Sequence, residues 1–411
     1  MDITLWTSTT ETAQWLVENT ILKEHDCKLK QFIESDANNS GNFHRIPEAI
    51  KRILYLDAVD VIIEINKKPI FALEISQEAG SGHNVFQRFA RIVAAAENNV
   101  PVAYIYPEAK LIYRESADRS SWDRLNPNIF TALEKVMRIH NSPALFYYYP
   151  TEFNGDLHEI PESPKGLIHD DIFLNSPNST DSEMKQFFKF VDTVVKKSID
   201  NNDDLLLIND EIIEERRNWM QEQFNLRNGR INQGSPYSAT IKVPTSSLLK
   251  FIREYAGEDY EIGELLPSRD ETVIYTIRNP TRIRSDPYTG VLATLDYLIT
   301  RRGKNIEDRN KNLVLAWFKA QYDEDNDEII VSDSNVSVND FMVAVNRVRA
   351  PNRCLFAYDN FDDLASREYN IARYYMQLNH SCRFTKRKDF RIYSVFADAI
   401  LFKDGCFWKD G

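Results

Sequence analysis

The chain has 411 residues, more than one ordinary core organises, and two or three domains are expected. With 43% hydrophobic and 12% aromatic residues the composition is globular and excludes a disordered chain. The net charge of −12 is concentrated in residues 151–230, which carry 9 Lys and Arg against 17 Asp and Glu, so it does not veto a local basic groove elsewhere.

No apolar run reaches the roughly 18 residues a membrane span needs. The opening MDITLWTSTTETAQW has neither the basic nor the apolar region of a secretory signal, so a cytoplasmic protein and no membrane partner are expected. Cys27, Cys354, Cys382 and Cys406 lack any C-x-x-C spacing, which favours reduced thiols over disulfides or zinc. No G-x-x-x-x-G-K-S/T loop is present, and no nucleotide cofactor is expected.

In chain order, residues 8–24 read as a helix with a Ser/Thr start and Glu11 in its first turn. Residues 36–43 (DANNSGNF) read as a loop, and IPEAIKRIL as a short helix that begins near Pro47 and carries Glu48. From Tyr55 to Glu108 the pattern is strand (Val59 to Ile65), turn (Asn66-Lys67-Lys68-Pro69), strand (Ile70 to Ser76), loop, helix, strand. The helix starts near Asn84, and Val85, Phe89, Ile92, Val93 and Ala96 recur at helical spacing. A helix between strands permits a parallel crossover, so the unit is ββαβ.

Two carboxylates interrupt this apolar frame. Side chains alternate along a strand, so Asp60 shares a face with Ile62, and Glu74 with Ala72 and Ser76. Asp60 and Glu74 can therefore meet on one side of the sheet. Carboxylates among Val, Ile and Leu need a compensating charge. A divalent ion that keeps part of its water shell, such as Mg²⁺, suits two carboxylates.

The arrangement resembles the PD-(D/E)xK nuclease superfamily, whose core is the same ββαβ unit, and among its members a type II restriction endonuclease. Asp60 stands at the first acidic position, preceded by Val59 and not Pro, and Glu74-Ile75-Ser76 stands at (D/E)-x-K. Ser76 replaces the lysine, so the third role is open between Gln77 and a cation from elsewhere. The resemblance implies Asp60, Glu74 and the Ile75 carbonyl as Mg²⁺ ligands, with Mn²⁺ able to substitute, and Ser76 or Gln77 orienting water. It also implies a further acid from upstream, for which Glu48 is a better placed candidate than Glu11. Gln87 and Arg88 on the following helix are candidates for orienting the motif or holding a phosphate, and His83 for positioning substrate.

Beyond this unit, IFTALEKVMRIH reads as a helix, and Tyr147, Tyr148 and Tyr149 could stack on bases, although three consecutive aromatics cannot share a face. Residues 151–230 read as a linker followed by helical, acidic sequence. From 231 to 411 the pattern restarts as a separate α+β domain for DNA recognition or dimerisation. There Arg278, Arg282 and Arg284 precede a DPYTG helix start, a phosphate-contact pattern. Arg383, Lys386, Arg387, Lys388 and Arg391, interleaved with Phe384 and Phe390, form the densest basic run.

The sequence therefore predicts an α/β (α+β) protein with a restriction-endonuclease-like core in residues 1–150, a mixed sheet flanked by helices. The expected activity is Mg²⁺-dependent endonucleolytic cleavage of double-stranded DNA by a homodimer. A non-catalytic DNA-binding protein on the same fold, and an RNA-directed or effector-activated nuclease, remain the alternatives.

Overall fold

A computed structural model describes residues 1–32, 46–76, 84–114, 119–160, 177–200, 208–228, 239–256, 264, 266–277, 286–332, 336–337, 340, 392–393 and 395–408. The described residues form a mixed α+β protein with eight α-helices, and the chain divides into two compact units at about residue 235. No described helix is long and apolar enough to cross a membrane.

The first unit is built on a six-stranded mixed sheet. Its strands are β1 (Ile3–Thr7), β2 (Cys27–Gln31), β3 (Val61–Ile65), β4 (Lys68–Ile75), β5 (Val102–Pro107) and β8 (Ala144–Tyr149), in the order β2-β1-β3-β4-β5-β8. β3 runs antiparallel to β1 and β4, whereas β5 runs parallel to β4 and β8. The β3–β4 turn is tighter than the four residues read from sequence. Asn66 and Lys67 alone make it, with φ of 50° and 68°, and Lys68-Pro69 already belongs to β4. Positive φ at both central positions matches the right-handed twist of the flanking strands. A separate hairpin, β6 (Ala109–Arg114) and β7 (Arg119–Arg124), follows β5.

The helices of this unit are α1 (Thr10–Asn19), α2 (Glu48–Ile53), α3 (Phe89–Glu97), α4 (Asn128–His140), α5 (Ser182–Ile199) and α6 (Glu211–Asn228). α3 makes the crossover from β4 to β5. Its FARIVAAAE sequence buries every residue from Phe89 to Ala96 except Arg91, which is partly exposed. On the opposite face, Phe187 of α5 packs on Trp15, Phe71 and Tyr147, and Phe190 packs on Phe71. α5 and α6 lie in the stretch expected to be linker and acidic segment. Their acids and bases are largely paired: Arg216 donates to Glu183 at 2.5 Å and Arg217 to Glu134 at 2.7 Å. The Arg216 guanidinium also stacks on Tyr147 and Trp219. The three tyrosines expected as base-stacking candidates are engaged within the unit. Tyr147 and Tyr149 are buried, and Tyr148 packs edge-on against Trp219 and donates to Gln223.

The second unit holds a five-stranded sheet, β15-β14-β11-β10-β9, of β9 (Thr240–Pro244), β10 (Glu271–Thr276), β11 (Asn312–Ala316), β14 (Ala399–Phe402) and β15 (Gly405–Trp408). β10, β11 and β14 run parallel, and the outer strands antiparallel. α7 (Thr245–Ala256) and the hairpin β12 (Lys319–Asp323) and β13 (Glu328–Ser332) close one apolar core, in which Leu248, Ile252, Val314, Phe318 and Leu401 are buried. α8 (Asp286–Leu295) continues into a π-helical turn, Asp296–Thr300. That turn places Asp296 inside, where its carboxylate meets Arg301 at 2.7 Å and Arg309. Arg309 also pairs with Asp398 at 2.9 Å, and Asp398 accepts the Leu313 N–H. Burial opposes the charge of Asp296, but the two guanidinia outweigh it and hold the carboxyl below its usual range.

Candidate functional site

The β3–β4 register sets Val61 opposite Leu73 and Ile62 opposite Ala72. One residue earlier on β3 and one later on β4, Asp60 and Glu74 therefore lie on the same side of the sheet. The backbone supports this pairing beyond the end of β3, since the Asp60 N–H donates to the Leu73 carbonyl at 3.0 Å. The Asp60 carboxylate accepts the Ile75 N–H at 2.7 Å on one oxygen and the Ser8 hydroxyl at 3.1 Å on the other. Ser8 sits between β1 and α1, so the antiparallel β1–β3 pair brings a second element to the site.

Glu74 is 1% exposed. From α3, Arg91 Nη1 reaches both of its oxygens, at 2.8 and 3.0 Å, while Arg91 Nε donates to Asp57 at 2.8 Å. Arg88 Nε approaches the same carboxylate at 3.6 Å, an ion pair without hydrogen-bond geometry. Tyr104, opposite Glu74 on β5, is buried and donates its hydroxyl to the Val85 carbonyl at 3.0 Å. Three carboxylates, Asp57, Asp60 and Glu74, thus face two guanidinia.

Burial dominates the electrostatics. It pushes Glu74 up to about 8, with Arg91 opposing and the Asp60 charge reinforcing the rise. Burial also raises Asp60, against Arg91, the Ile75 N–H and the Ser8 hydroxyl. For Arg91 burial favours loss of charge, but Asp57, Glu74 and Asp60 together outweigh it and hold the guanidinium protonated.

The other expected site residues fall in three places. Ser76 is buried directly after β4, and its N–H donates to the Ile105 carbonyl at 2.9 Å. Glu48 opens α2 with its side chain 69% exposed and pairs with Lys51 at 3.6 Å; Glu11 is exposed on α1. Gln77 and His83 lie outside the described residues, as do Arg278, Arg282, Arg284, Arg383, Lys386, Arg387, Lys388 and Arg391. Gln87 hydrogen-bonds Asn84 within its own turn.

Arg91 and Asp57 are the members the sequence leaves in the background. A single arginine within FARIVAAA does carry a signal, because a charge in an apolar helix implies a buried partner. Asp57 precedes β3, as its sequence position suggests, but its pairing with α3 is a tertiary contact.

The donor set bears on whether a cation fits. Among the described residues no three His, Cys, Asp or Glu side chains are grouped to hold a metal ion. Asp60, Glu74 and a backbone carbonyl with water are what the site offers. Leu73 directs its carbonyl to Asp60, and Ile75, two residues on, presents the same strand edge. Two carboxylates on one face with oxygen donors beside them fit a hard cation, provided that Glu74 is shared with or released by Arg91. Comparison with known proteins returns no match, whether with family models, with curated proteins or with solved structures.

Proposed function

We propose that the first unit is a Mg²⁺-dependent endonuclease domain that hydrolyses phosphodiester bonds in double-stranded DNA, on a restriction-endonuclease-like core. The observation that carries the reading is Asp60 and Glu74 on one side of the sheet, in a β3–turn–β4–α3–β5 unit with a parallel crossover. An acidic pair on such a unit supports the reading suggested by the sequence resemblance.

In this reading Asp60 and Glu74 hold the cation, with the Ile75 carbonyl as a further donor. The bound ion supplies Lewis acidity to the scissile phosphate and to the attacking water. The chain's own residues do the positioning. Ser8 and the Ile75 N–H fix the Asp60 carboxylate, and Arg91 holds Glu74 in the cation-free protein. Ser76 carries no charge, so a cationic partner for the phosphate comes from α3, where Arg88 and Arg91 stand beside the carboxylates. A sequence-specific restriction enzyme acting as a homodimer, which pairs one site with each strand, is the form of this activity we favour.

One observation favours a second reading. The guanidinium of Arg91 already compensates Glu74 without a metal, as expected of a DNA-binding protein that keeps a nuclease core without cleaving. Incubation with a defined plasmid separates the two. A nuclease gives discrete ends with Mg²⁺ or Mn²⁺, stops with EDTA, and loses at least about a hundredfold in rate on Glu74→Gln. Retention of cleavage by Glu74→Gln sinks the proposed site, and DNA binding without cleavage over several cations favours the second reading.

A further inference from the structure

We infer that Arg91 is the resident counter-ion of the carboxylate site, and that a divalent cation enters by taking Glu74 from it while Asp57 retains the guanidinium. The inference rests on the proposed reading of Asp60 and Glu74 as cation ligands and deepens it.

The contacts divide in a way that makes such an exchange possible. Arg91 uses Nη1 for both oxygens of Glu74 and Nε for Asp57. The two acids are held through different atoms, so the guanidinium can leave one and keep the other. Its side chain is only 12% exposed, and those of Asp57 and Glu74 are 4% and 1% exposed, so none of the three can trade its partner for bulk water. When ionised, Glu74 therefore needs a positive partner. In the cation-free protein Arg91 is that partner.

A divalent cation cannot simply be added to this arrangement. Mg²⁺ requires its oxygens at about 2.0–2.1 Å in near-octahedral array. Nη1 lies within hydrogen-bonding distance of both Glu74 oxygens, the atoms that the cation must reach. A guanidinium and a dication on one buried carboxylate also repel each other with little water between them. Asp57 offers Arg91 a place to remain charged and partnered during the exchange. Released from Glu74, Nη1 becomes a cationic donor next to the site, the role that Ser76 cannot fill. Asp57 and Arg91 then set how tightly the site holds a cation, and they act in opposite directions.

Mn²⁺ titrated into the full-length protein, with free Mn²⁺ read by electron paramagnetic resonance, tests this without reference to cleavage. Arg91→Gln removes the competitor and is expected to tighten Mn²⁺ binding by about tenfold. Arg91→Lys, a point charge that cannot reach both acids at once, is expected to shift in the same direction by less. Asp57→Asn leaves Glu74 as the one carboxylate that accepts hydrogen bonds from Arg91 and is expected to weaken binding by about tenfold. Folding of each variant is checked by thermal melting, and if Arg91→Gln does not fold, Arg91→Lys and Asp57→Asn decide. Weaker or unchanged binding in the folded Arg91 variants overturns the exchange while leaving the cation site in place. No binding by the wild type or any variant overturns both the exchange and the proposed function.

Discussion

Glu74 is a carboxylate with almost no access to water, and its protonation couples to the stability of the first unit. Its ordinary value is 4.5, and burial lifts it to about 8 in the folded chain. A carboxyl raised on folding favours the native state most below its unfolded value, and that contribution is lost as pH rises through the folded one. In EDTA the melting temperature of the first unit is therefore expected to fall between about pH 4.5 and pH 8. Glu74→Gln, which cannot ionise, is expected to flatten that slope, leaving the smaller part contributed by Asp60, whose shift has the same sign. A slope unchanged by Glu74→Gln in thermal melts across this range would contradict the burial of a titrating Glu74. Asp60 and Glu74 were legible in the sequence because charge in a β-branched run is anomalous. Ser8 and Asp57 were not, since each acquires its partner only when β1 or α3 is packed against β3 and β4.

The hairpin that carries the two acids turns on Asn66 and Lys67, both with positive φ. Asn tolerates that conformation, whereas Lys carries a penalty of about 1 kcal/mol relative to Gly. Lys67→Gly is expected to stabilise the first unit by about that amount, measured by urea unfolding. On the sheet's other face, Phe187 of α5 touches Trp15, Phe71 and Tyr147, so Phe187→Ala is expected to cost about 3–5 kcal/mol by the same measurement. A loss below about 1 kcal/mol would place α5 outside the core. The helix after it, α6, reads in the sequence as a solvated or interface helix, because acids and bases stand side by side in IIEERRNWMQEQFN, and its arginines pair with Glu183, Glu134 and Glu108. β2 lacks a strand signature for a different reason. CKLKQ is an edge strand with three exposed central residues, so it lacks the alternating buried face that marks a strand. The β3–β4–α3–β5 segment was legible because its strands and helix are continuous apolar runs bounded by turn residues, and the fold buries them on nearly every side.

The two units rest on separate cores, and their stabilities are expected to respond separately to mutation. In the second unit, Asp296 joins Arg301 and Arg309 at full burial, and Arg309 joins Asp398. Removing one member strands the others without charge compensation. Asp296→Asn is expected to destabilise the second unit by about 3–5 kcal/mol, shifting one calorimetric transition and leaving that of the first unit in place. Movement of both transitions together would indicate that the units unfold as one. The sequence announced the restart of pattern near residue 239, since ATIKVP, SSLLKFIREYAG and ETVIYTI form a strand–helix–strand series of their own. It could not announce a network that joins Arg309 to Asp398, 89 positions away. The net charge of −12 likewise conceals its distribution, for the surplus acids of residues 151–230 accompany helices that pack on the first sheet.

The central claim is that Asp60 and Glu74 hold a divalent cation for phosphodiester hydrolysis. A crystal grown with Mn²⁺ and examined by anomalous scattering tests it most directly. The account predicts a peak about 2.1 Å from oxygens of both carboxylates, with Arg91 withdrawn from Glu74 and still bonded to Asp57. At saturating Mn²⁺, an absent peak with Arg91 still on Glu74 would contradict it.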